Sequence, residues 1–594
     1  MNFKFSDLHC HPVGQLMLEF SQLNEAKFDG KNAHPWNIQK SKRAPLEAGN
    51  RAGKYSQSDF ARLLKGNVKL VFAALYPFEQ GFLTKIVNTA GAPLQEATIT
   101  DSETADLLDN IGFISARIDY DETGQLIFDG IDDEDLAKVN SFPAFLVKMI
   151  MGIPIKKVKH IRSETYNYWE ELNKEYNFLL RKSGQTHSKE IFFDTNNDGK
   201  IKKCEKVKVS GQYKVLSKHK TTGQNLKWGE QSFLKYVDLD NAVDEENLVI
   251  VVPTIEGINT LSMDNQITPA SRETLFSRIE EIKSWDPKIF FITFAHHFNN
   301  NLCAHAHSIS SPIPIADQSP AMNYLDNDKE KGINDLGLEV MEKLLEIQKK
   351  EHGYKATDYV EKRILIDVKH MSASARKNYY EQIITPYNDS NQEKIPVIAS
   401  HMGYAGVKTL DLFIANYDNE LKNFTPHEET DLPSQDDDDN LAYNNWNINL
   451  CDQDIEIILK SKGLMGLSFD QRILGDPGKI FKRKHKREEK IKAFFDDFAG
   501  IIKAAEAVNL HVYNTEHYSI WDALCIGTDN DGYIDPIDDH ATAADFPEFG
   551  KDFKNLLEQW DKRAEYGIGT NETLNAVLEK FTFLNAFEFL KTHY

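Results

Sequence analysis

Eight short apolar runs of strand length are spread along this chain, and helical patterns separate several of them. Strand and helix in alternation indicate a parallel sheet, and eight such units favour closure into a barrel. The predicted fold class is therefore α/β, a (β/α)8 TIM-type barrel with large insertions. The predicted strands are residues 3–8, 67–75, 248–254, 289–295, 364–367, 397–400, 464–469 and 524–528.

The length of the chain requires additions to such a barrel. Its 594 residues are more than twice the roughly 250 of a bare (β/α)8 barrel. We predict the first barrel units in residues 1–78, a long insertion with helical segments in 79–247, and the rest of the barrel in 248–594. Further insertions are expected near 405–445 and 475–490.

Three local patterns predict elements between the strands. Asn334 can cap a helix, because leucines and a methionine recur on one face after it. Phe494 and Phe498 belong to a second helical pattern. Within the long insertion, residues 164–181 have a helical pattern, and residues 206–216 alternate like a strand pair around Ser210-Gly211.

Charge and cysteine content limit the class of protein. The formal net charge of -22 disfavours binding to nucleic-acid phosphates. No run of eighteen apolar residues exists to span a membrane, and the N-terminal residues lack the apolar core of a secretion signal. The five cysteines are scattered and odd in number, which favours a reducing compartment. The predicted location is the cytoplasm.

Six of the apolar runs lead into histidine or a carboxylate. In a (β/α)8 barrel the carboxyl ends of all strands meet at one mouth, and Zn²⁺ binds imidazole nitrogen and carboxylate oxygen. His9 and His11 lie two apart at a strand end, so both side chains can reach one ion. The candidate metal ligands are His9, His11, Glu256, His370, His401 and Asp529; His296 follows the fourth run.

Several neighbouring residues compete for these positions or surround them. Asp531 is an alternative to Asp529, which is preferred because it comes first after its strand. Asp367 is expected to orient a histidine rather than to bind metal. Cys10, between two candidate ligands, is expected to be a packed thiol. Three histidines of the fourth loop are expected to line the pocket or lie at the surface: His297, His305 and His307.

The ordered motifs carry a family likeness. Residues 7–11 resemble an opening D-G-H-N-D motif, and Glu256-Gly257 resembles a bridging-glutamate motif. The segments 58–77, 293–302, 366–372 with Ser400-His401, and 526–532 follow in the same order. The chain resembles the membrane dipeptidase (renal dipeptidase) family of the amidohydrolase superfamily. This resemblance implies a zinc-dependent hydrolase of a small, dipeptide-like amide that acts through a metal-bound hydroxide, and it implies a homodimer.

The resemblance also implies roles for the candidate residues. Glu256 would bridge two zinc ions, and His370 and His401 would bind the second ion. Asp529 would contact the first ion and accept a proton from the attacking water. His296 would donate a hydrogen bond to the developing oxyanion.

Two positions depart from the family pattern. His11 stands where the family has aspartate, which changes the charge of the site by one unit. Ile448 stands where the family has an arginine that holds the substrate carboxylate. Other substrates of the same metal site are therefore alternatives to a dipeptide, namely a non-peptide amide, a lactone or a phosphoester. A catalytically silent binding barrel is a further alternative.

A second metal motif lies in the long insertion. Oxygen-bearing residues occupy positions one, three, five and twelve of a loop with Gly199 at six and Ile201 at eight. This is the spacing of an EF-hand calcium loop, although the following residues look extended rather than helical and the motif stands alone. The alternative is a polar turn without an ion. The candidate calcium residues are Asp194, Asn196, Asp198, Lys200 and Glu205.

Overall fold

The structure is a computed structural model. It describes residues 3–14, 17, 35–36, 56–82, 118–120, 126–128, 157, 160–194, 204–220, 231–306, 308, 332–351, 353–415, 443–474, 487–534, 536–537 and 540–594. All eight predicted barrel strands are present. They are β1 (Phe5–Cys10), β2 (Val68–Leu75), β3 (Leu248–Glu256), β4 (Phe291–Thr293), β5 (Leu365–Asp367), β6 (Ile398–Met402), β7 (Leu464–Leu467) and β8 (Leu524–Ile526).

The eight strands form a ring. Each strand pairs in parallel with the next, from β1 to β8. The ring closes just beyond the last strand, where Cys10 and Asn530 form a parallel bridge. Two backbone hydrogen bonds of 2.9 Å support this closure, from Asp529 N to His9 O and from His11 N to Asn530 O. The predicted (β/α)8 fold class is confirmed.

Helices follow most barrel strands. Asn334 caps its helix as predicted, since its Oδ1 accepts a 2.8 Å hydrogen bond from Gly337 N. In the described part of the chain, no helix is long and apolar enough to cross a membrane. The main helices are Phe60–Lys65, Tyr168–Leu180, Arg272–Ser284, Asp335–Leu345, Ala373–Tyr379, Thr385–Ser390, Leu410–Ala415, Asp452–Lys460, Arg487–Ala504, Phe546–Gln559, Asn571–Glu579 and Asn585–His593.

The apolar residues of the strands form two clusters that alternate along each strand. On β2, Val71 and Ala73 belong to the large cluster shared with the helices, whereas Leu70 and Phe72 belong to a second cluster. The second cluster takes a residue from every barrel strand, so it fills the barrel interior. Residues of the C-terminal helix, Asn585–His593, also belong to this cluster. That helix covers the end of the barrel opposite the candidate ligands.

The long insertion contributes a strand that differs from its prediction. Residues 206–216 were predicted to form two strands around Ser210-Gly211, and this is wrong, because Cys204–Ser217 is one continuous strand. Its first half pairs antiparallel with His187–Asp194, and its second half pairs in parallel with β3. A Cβ atom on Gly211 would lie 2.5 Å from Leu64 Cδ1. The glycine therefore permits close approach rather than a turn.

The candidate calcium loop connects the two strands of this hairpin. The register pairs Asp194 with Cys204 and Phe193 with Glu205, so the segment after the loop is extended, as expected. Asn196, Asp198 and Lys200 lie outside the described residues, as does His307. Calcium binding stays a prediction, and so does the division of the chain into domains.

Candidate metal centre

A bulge in β1 places the first two candidate ligands. Asp7 is paired with Val71 and Cys10 with Ala73, so three steps along β1 match two along β2. A bulge of this kind redirects side chains. The rings of His9 and His11 lie 5.1 Å apart, and both reach the barrel mouth. Cys10 is fully buried in the apolar core, as predicted.

Glu256 lies at the centre of the cluster. It ends β3, and its carboxylate is only 3% exposed. Its Oε2 lies 3.1 Å from Nε2 of His11. Its Oε1 lies between 3.3 and 3.7 Å from the Nε2 atoms of His9, His296, His370 and His401. One carboxylate thus faces imidazoles from four different strand ends.

Asp529 faces Glu256 across the histidines. Its Oδ1 lies 3.4 Å from Nε2 of His11 and 3.9 Å from that of His9. Its Oδ2 lies 3.7 Å from Nε2 of His401. The backbone of Asp529 has a φ of 62°, and that of His370 has a φ of 64°. Non-glycine residues are uncommon in this left-handed region, and such residues cluster at functional sites.

The six predicted ligands therefore meet in space. One set of four residues brings ligand atoms within 4.8 Å of one another, and a second set of three does the same. Glu256 belongs to both sets. The first set contains His9, His11, Glu256 and Asp529, and the second contains Glu256, His370 and His401.

The donor atoms fit divalent metal ions. Both ring nitrogens of His9 and of His11 are buried without a hydrogen bond, as are Nδ1 of His370 and Nε2 of His401. Buried polar atoms in proteins almost always have a partner, and leaving one unpaired costs about 1–3 kcal/mol. Imidazole nitrogens and carboxylate oxygens are the ligands that zinc prefers. A pair of cations would bind one nitrogen of each of these imidazoles.

The charges of the cluster agree with this fit. Burial raises the pKa of Glu256, but His296, His9 and His11 outweigh it and hold that pKa well below its usual range. Burial lowers the pKa of His370 and of His401 well below the usual histidine value. Glu256 is thus ionised, and both histidines are neutral, which is the form that binds metal.

Asp531 is committed to other partners. Its Oδ1 accepts a hydrogen bond from Gln57 N at 2.9 Å, and its Oδ2 accepts from Ser58 N at 2.8 Å. Ser56 Oγ and Ser58 Oγ also donate to Oδ2, at 3.0 and 2.8 Å. The geometry therefore favours Asp529 over Asp531 as the ligand from the last strand.

Asp367 connects three strands beneath the cluster. Its Oδ2 accepts hydrogen bonds of 2.6 Å from Thr293 Oγ1 and Ser400 Oγ, and its Oδ1 accepts from the Ser400 and Lys369 backbone at 2.9 and 3.0 Å. Ser400 Oγ lies 2.8 Å from Nδ1 of His401. One oxygen of Asp367 also lies within 4.8 Å of the His9 and His401 nitrogens. Its four hydrogen bonds nevertheless support the predicted role of orienting a histidine.

The fourth-loop histidines have different surroundings. His297 is half-buried and lines the cavity, which is one of the two predicted alternatives. His305 is buried, and its Nδ1 donates to the Ala306 carbonyl at 2.9 Å. It does not line the described cavity.

Sequence reasoning missed Glu79. This residue follows β2 by four positions and is 1% exposed. Its Oε2 lies 2.6 Å from Nδ1 of His296, whose ring packs edge-on against Tyr76 at 4.7 Å. The sequence contains a general signal for it, a carboxylate shortly after a barrel strand, but Glu79 lies at the start of the predicted insertion, 79–247.

A cavity opens beside the cluster. Ile448 lines it and is 2% exposed. The loop that carries Ile448 is held by the buried Arg376, which donates to the carbonyls of Asn449 and Asn447 at 3.0 and 2.9 Å. The remaining lining residues include Tyr76, Phe82, Lys369, Asp470, Arg472, Ile473 and Tyr533.

Comparisons with known proteins were made for sequence and for structure. No protein-family model and no curated protein matches the sequence. A metallopeptidase from Rhodobacter sphaeroides, solved with a phosphinate mimic of the dipeptide L-Ala-D-Ala, is similar in structure over 100% of this chain and 99% of its own, with a TM-score of 0.44 and 9% identity.

Two further solved structures are described as a dipeptidase and a probable dipeptidase. The metallopeptidase dipeptidase AC, of peptidase family M19, is similar over 100% of this chain and 99% of its own, with a TM-score of 0.43 and 10% identity. The probable dipeptidase PvdM from Pseudomonas aeruginosa is similar over 92% and 93%, with a TM-score of 0.35 and 12% identity. The closed ring of strands described above establishes the fold.

Proposed function

We propose that this protein is a metal-dependent hydrolase of a small, dipeptide-like amide and that it binds two zinc ions. The observation that carries the proposal is the central position of Glu256, whose two oxygens face different histidines. Only a carboxylate offers two oxygens to two ions. His9, His11 and Asp529 would complete one ion's ligands, and His370 and His401 would complete the other's.

Zinc at this site would lower the pKa of a bound water and polarise the scissile carbonyl. The protein supplies the remaining groups. Asp529 accepts the proton of the attacking water on its carboxylate and passes it to the leaving nitrogen. Burial is the largest influence on Asp529 and raises its pKa above the ordinary value, which suits a group that takes up a proton during the reaction.

His296 is placed to stabilise the oxyanion. Burial lowers its pKa, but Glu256 and Glu79 outweigh burial and raise the pKa to about 9. Both ring nitrogens therefore carry protons at neutral pH. Nδ1 donates to Glu79, and Nε2, which lies 3.4 Å from Oε1 of Glu256, would donate to the oxygen of the tetrahedral intermediate. A donor of this kind typically contributes about 100- to 1000-fold to kcat.

One observation favours a substrate outside the dipeptides. Ile448 lines the cavity and cannot pair with a carboxylate at that position. The second candidate function therefore keeps the metal centre and changes the substrate to a non-peptide amide, a lactone or a phosphoester.

The homodimer and the cytoplasmic location are proposals from the sequence alone.

Metal analysis combined with a substrate panel tests the function. We expect about two zinc ions per chain and hydrolysis of at least one unsubstituted dipeptide. The variant Glu256→Gln should lose both, while Glu381→Gln, an exposed site on a helix, should keep both. Folded, zinc-loaded protein that hydrolyses lactones or phosphoesters but no amide would support the second candidate and reject the first.

A further inference from the structure

Apart from its histidines, the cavity beside the metal centre is lined by two basic side chains. They are Lys369 and Arg472. The guanidinium of Arg472 is committed to Asp470, with Nε 2.8 Å from Oδ1 and Nη2 2.6 Å from Oδ2. Nη2 also donates to the Tyr533 carbonyl at 3.2 Å. Arg472 is therefore fixed in the wall, and its charge is balanced there.

Lys369 is in a different position. It is 2% exposed and follows β5, directly before His370. Its backbone N–H donates to Asp367, but within the described part of the chain its ammonium makes no hydrogen bond and no close ion pair. The carboxylates of Asp529 and Asp470 act on it only at longer range. A buried ammonium without a partner costs several kcal/mol, so this site favours an incoming anion.

The same cavity also has apolar lining. Ile448, Ile473 and Phe82 are apolar there. A lining that combines apolar side chains with few polar anchors is typical of a small-molecule site. An anionic group of the substrate would pair with Lys369, while an apolar group would contact these three side chains.

We propose that Lys369 is a specificity-determining residue that binds a carboxylate of the substrate. The substrate class is then a small amide with a carboxylate near the scissile bond and an apolar side chain, such as an N-acyl amino acid or a dipeptide. This inference rests on the proposed function, because it assumes that the cavity binds the substrate of a hydrolase. The binding of a carboxylate by Lys369 can nevertheless be measured without turnover.

Matched substrates test the inference through selectivity. The kcat/KM for an apolar dipeptide is divided by the kcat/KM for its C-terminal carboxamide, which lacks the charge. Lys369→Met and Lys369→Gln should each lower this ratio by about 10- to 100-fold, the value of one charge-assisted hydrogen bond. Lys369→Arg should keep most of the ratio. Lys355→Met, at an exposed lysine outside the cavity, is the matched control and should leave the ratio unchanged.

Calorimetry separates this inference from the proposed function. An N-acetylated apolar amino acid is titrated into zinc-loaded wild-type protein and into Lys369→Met. Weaker binding to the variant by about tenfold or more supports the inference, even if the protein hydrolyses no amide. An unchanged ratio in both neutral variants, together with unchanged binding to Lys369→Met, would overturn the inference while leaving an observed amidase activity intact. An equal loss on both substrates would show that Lys369 only balances the charge of Asp529, and this too would overturn it.

Discussion

Nδ1 of His296 lies 2.6 Å from Oε2 of Glu79, and both side chains are buried. The other oxygen of Glu79 makes no hydrogen bond. Among the described residues, the carboxylate of Glu79 therefore has one hydrogen-bond partner. That partner is the imidazole proposed to stabilise the oxyanion. A buried carboxylate that orients a catalytic histidine fixes which nitrogen carries the donated proton.

We predict that Glu79→Gln lowers kcat for an amide substrate by about 10- to 1000-fold, since the oxyanion donor becomes misoriented and loses the charge that keeps it protonated. The glutamine fills nearly the same volume, so zinc content should stay at the wild-type value. Steady-state kinetics with metal analysis measures both. A variant with wild-type kcat would show that His296 needs no partner.

The orphaned nitrogens of the metal centre predict that metal binding stabilises the fold. Chelation leaves the buried nitrogens of His9 and His11 without partners, so the Tm should fall on treatment with a chelator and recover on addition of zinc. A ligand at 100 times its Kd stabilises the native state by about 2.7 kcal/mol. Differential scanning calorimetry measures the shift.

Magnesium is the matched control for this measurement, because imidazole-rich sites bind it poorly. It should not restore the Tm. If the chelated protein kept the wild-type Tm, the cluster would hold no ion that contributes to stability.

The hydrogen-bonded path from Asp367 through Ser400 to His401 predicts a moderate effect on metal affinity. Ser400→Ala removes the hydroxyl that contacts His401 Nδ1 at 2.8 Å and Asp367 Oδ2 at 2.6 Å. Loss of such an orienting partner typically costs about 10- to 100-fold in metal affinity. Competition with a chromogenic zinc chelator measures this change.

Ser461→Ala is the control for that experiment, because Ser461 Oγ is also buried and hydrogen-bonded but contacts the Ile458 carbonyl and the Val397 backbone. It should lower stability without changing zinc affinity. Equal zinc affinities for Ser400→Ala and wild type would show that this path does not orient His401 for metal binding.

The strands were predictable because each combines a buried run with a polar end at the barrel mouth, and these two properties can be counted along the sequence. Glu79 and Lys369 were missed for a different reason. Their roles depend on which groups face them, His296 in one case and an open cavity in the other, and this is set by tertiary packing. The bulge at Asp7–Cys10 is equally invisible, because the strand pattern does not change when one residue is added.

The error at Ser210-Gly211 shows the limit of local patterns. Alternation on both sides of a serine–glycine pair fits a hairpin and a continuous strand equally well. The structure contains the continuous strand because its two halves bind different partners, and Gly211 lets the backbone pass Leu64. Only knowledge of the neighbouring helix would have distinguished the two.

A last prediction concerns stability below neutral pH. Burial lowers the pKa of His593 to about 4, with help from Arg363 and Lys288 and against the effect of Glu393. The ring lies 4.6 Å from that of Phe589. An unfolded histidine has a pKa of about 6.5, so the unfolded chain binds this proton first. The stabilising contribution is therefore complete above about pH 6.5 and is lost as the pH falls towards 4.

Between pH 7 and pH 5, this single histidine should remove about 2 kcal/mol from the free energy of unfolding. His593→Gln has no such titration. Its free energy of unfolding should therefore fall less than that of wild type over the same interval, and the difference should be about 2 kcal/mol. Urea denaturation at several pH values measures the difference, with the exposed His219→Gln as the matched control. If the free energy of unfolding fell equally with pH in wild type and in His593→Gln, the prediction would be wrong. The imidazole would then be protonated in the folded state at its ordinary pKa, with Glu393 balancing the charges of Arg363 and Lys288.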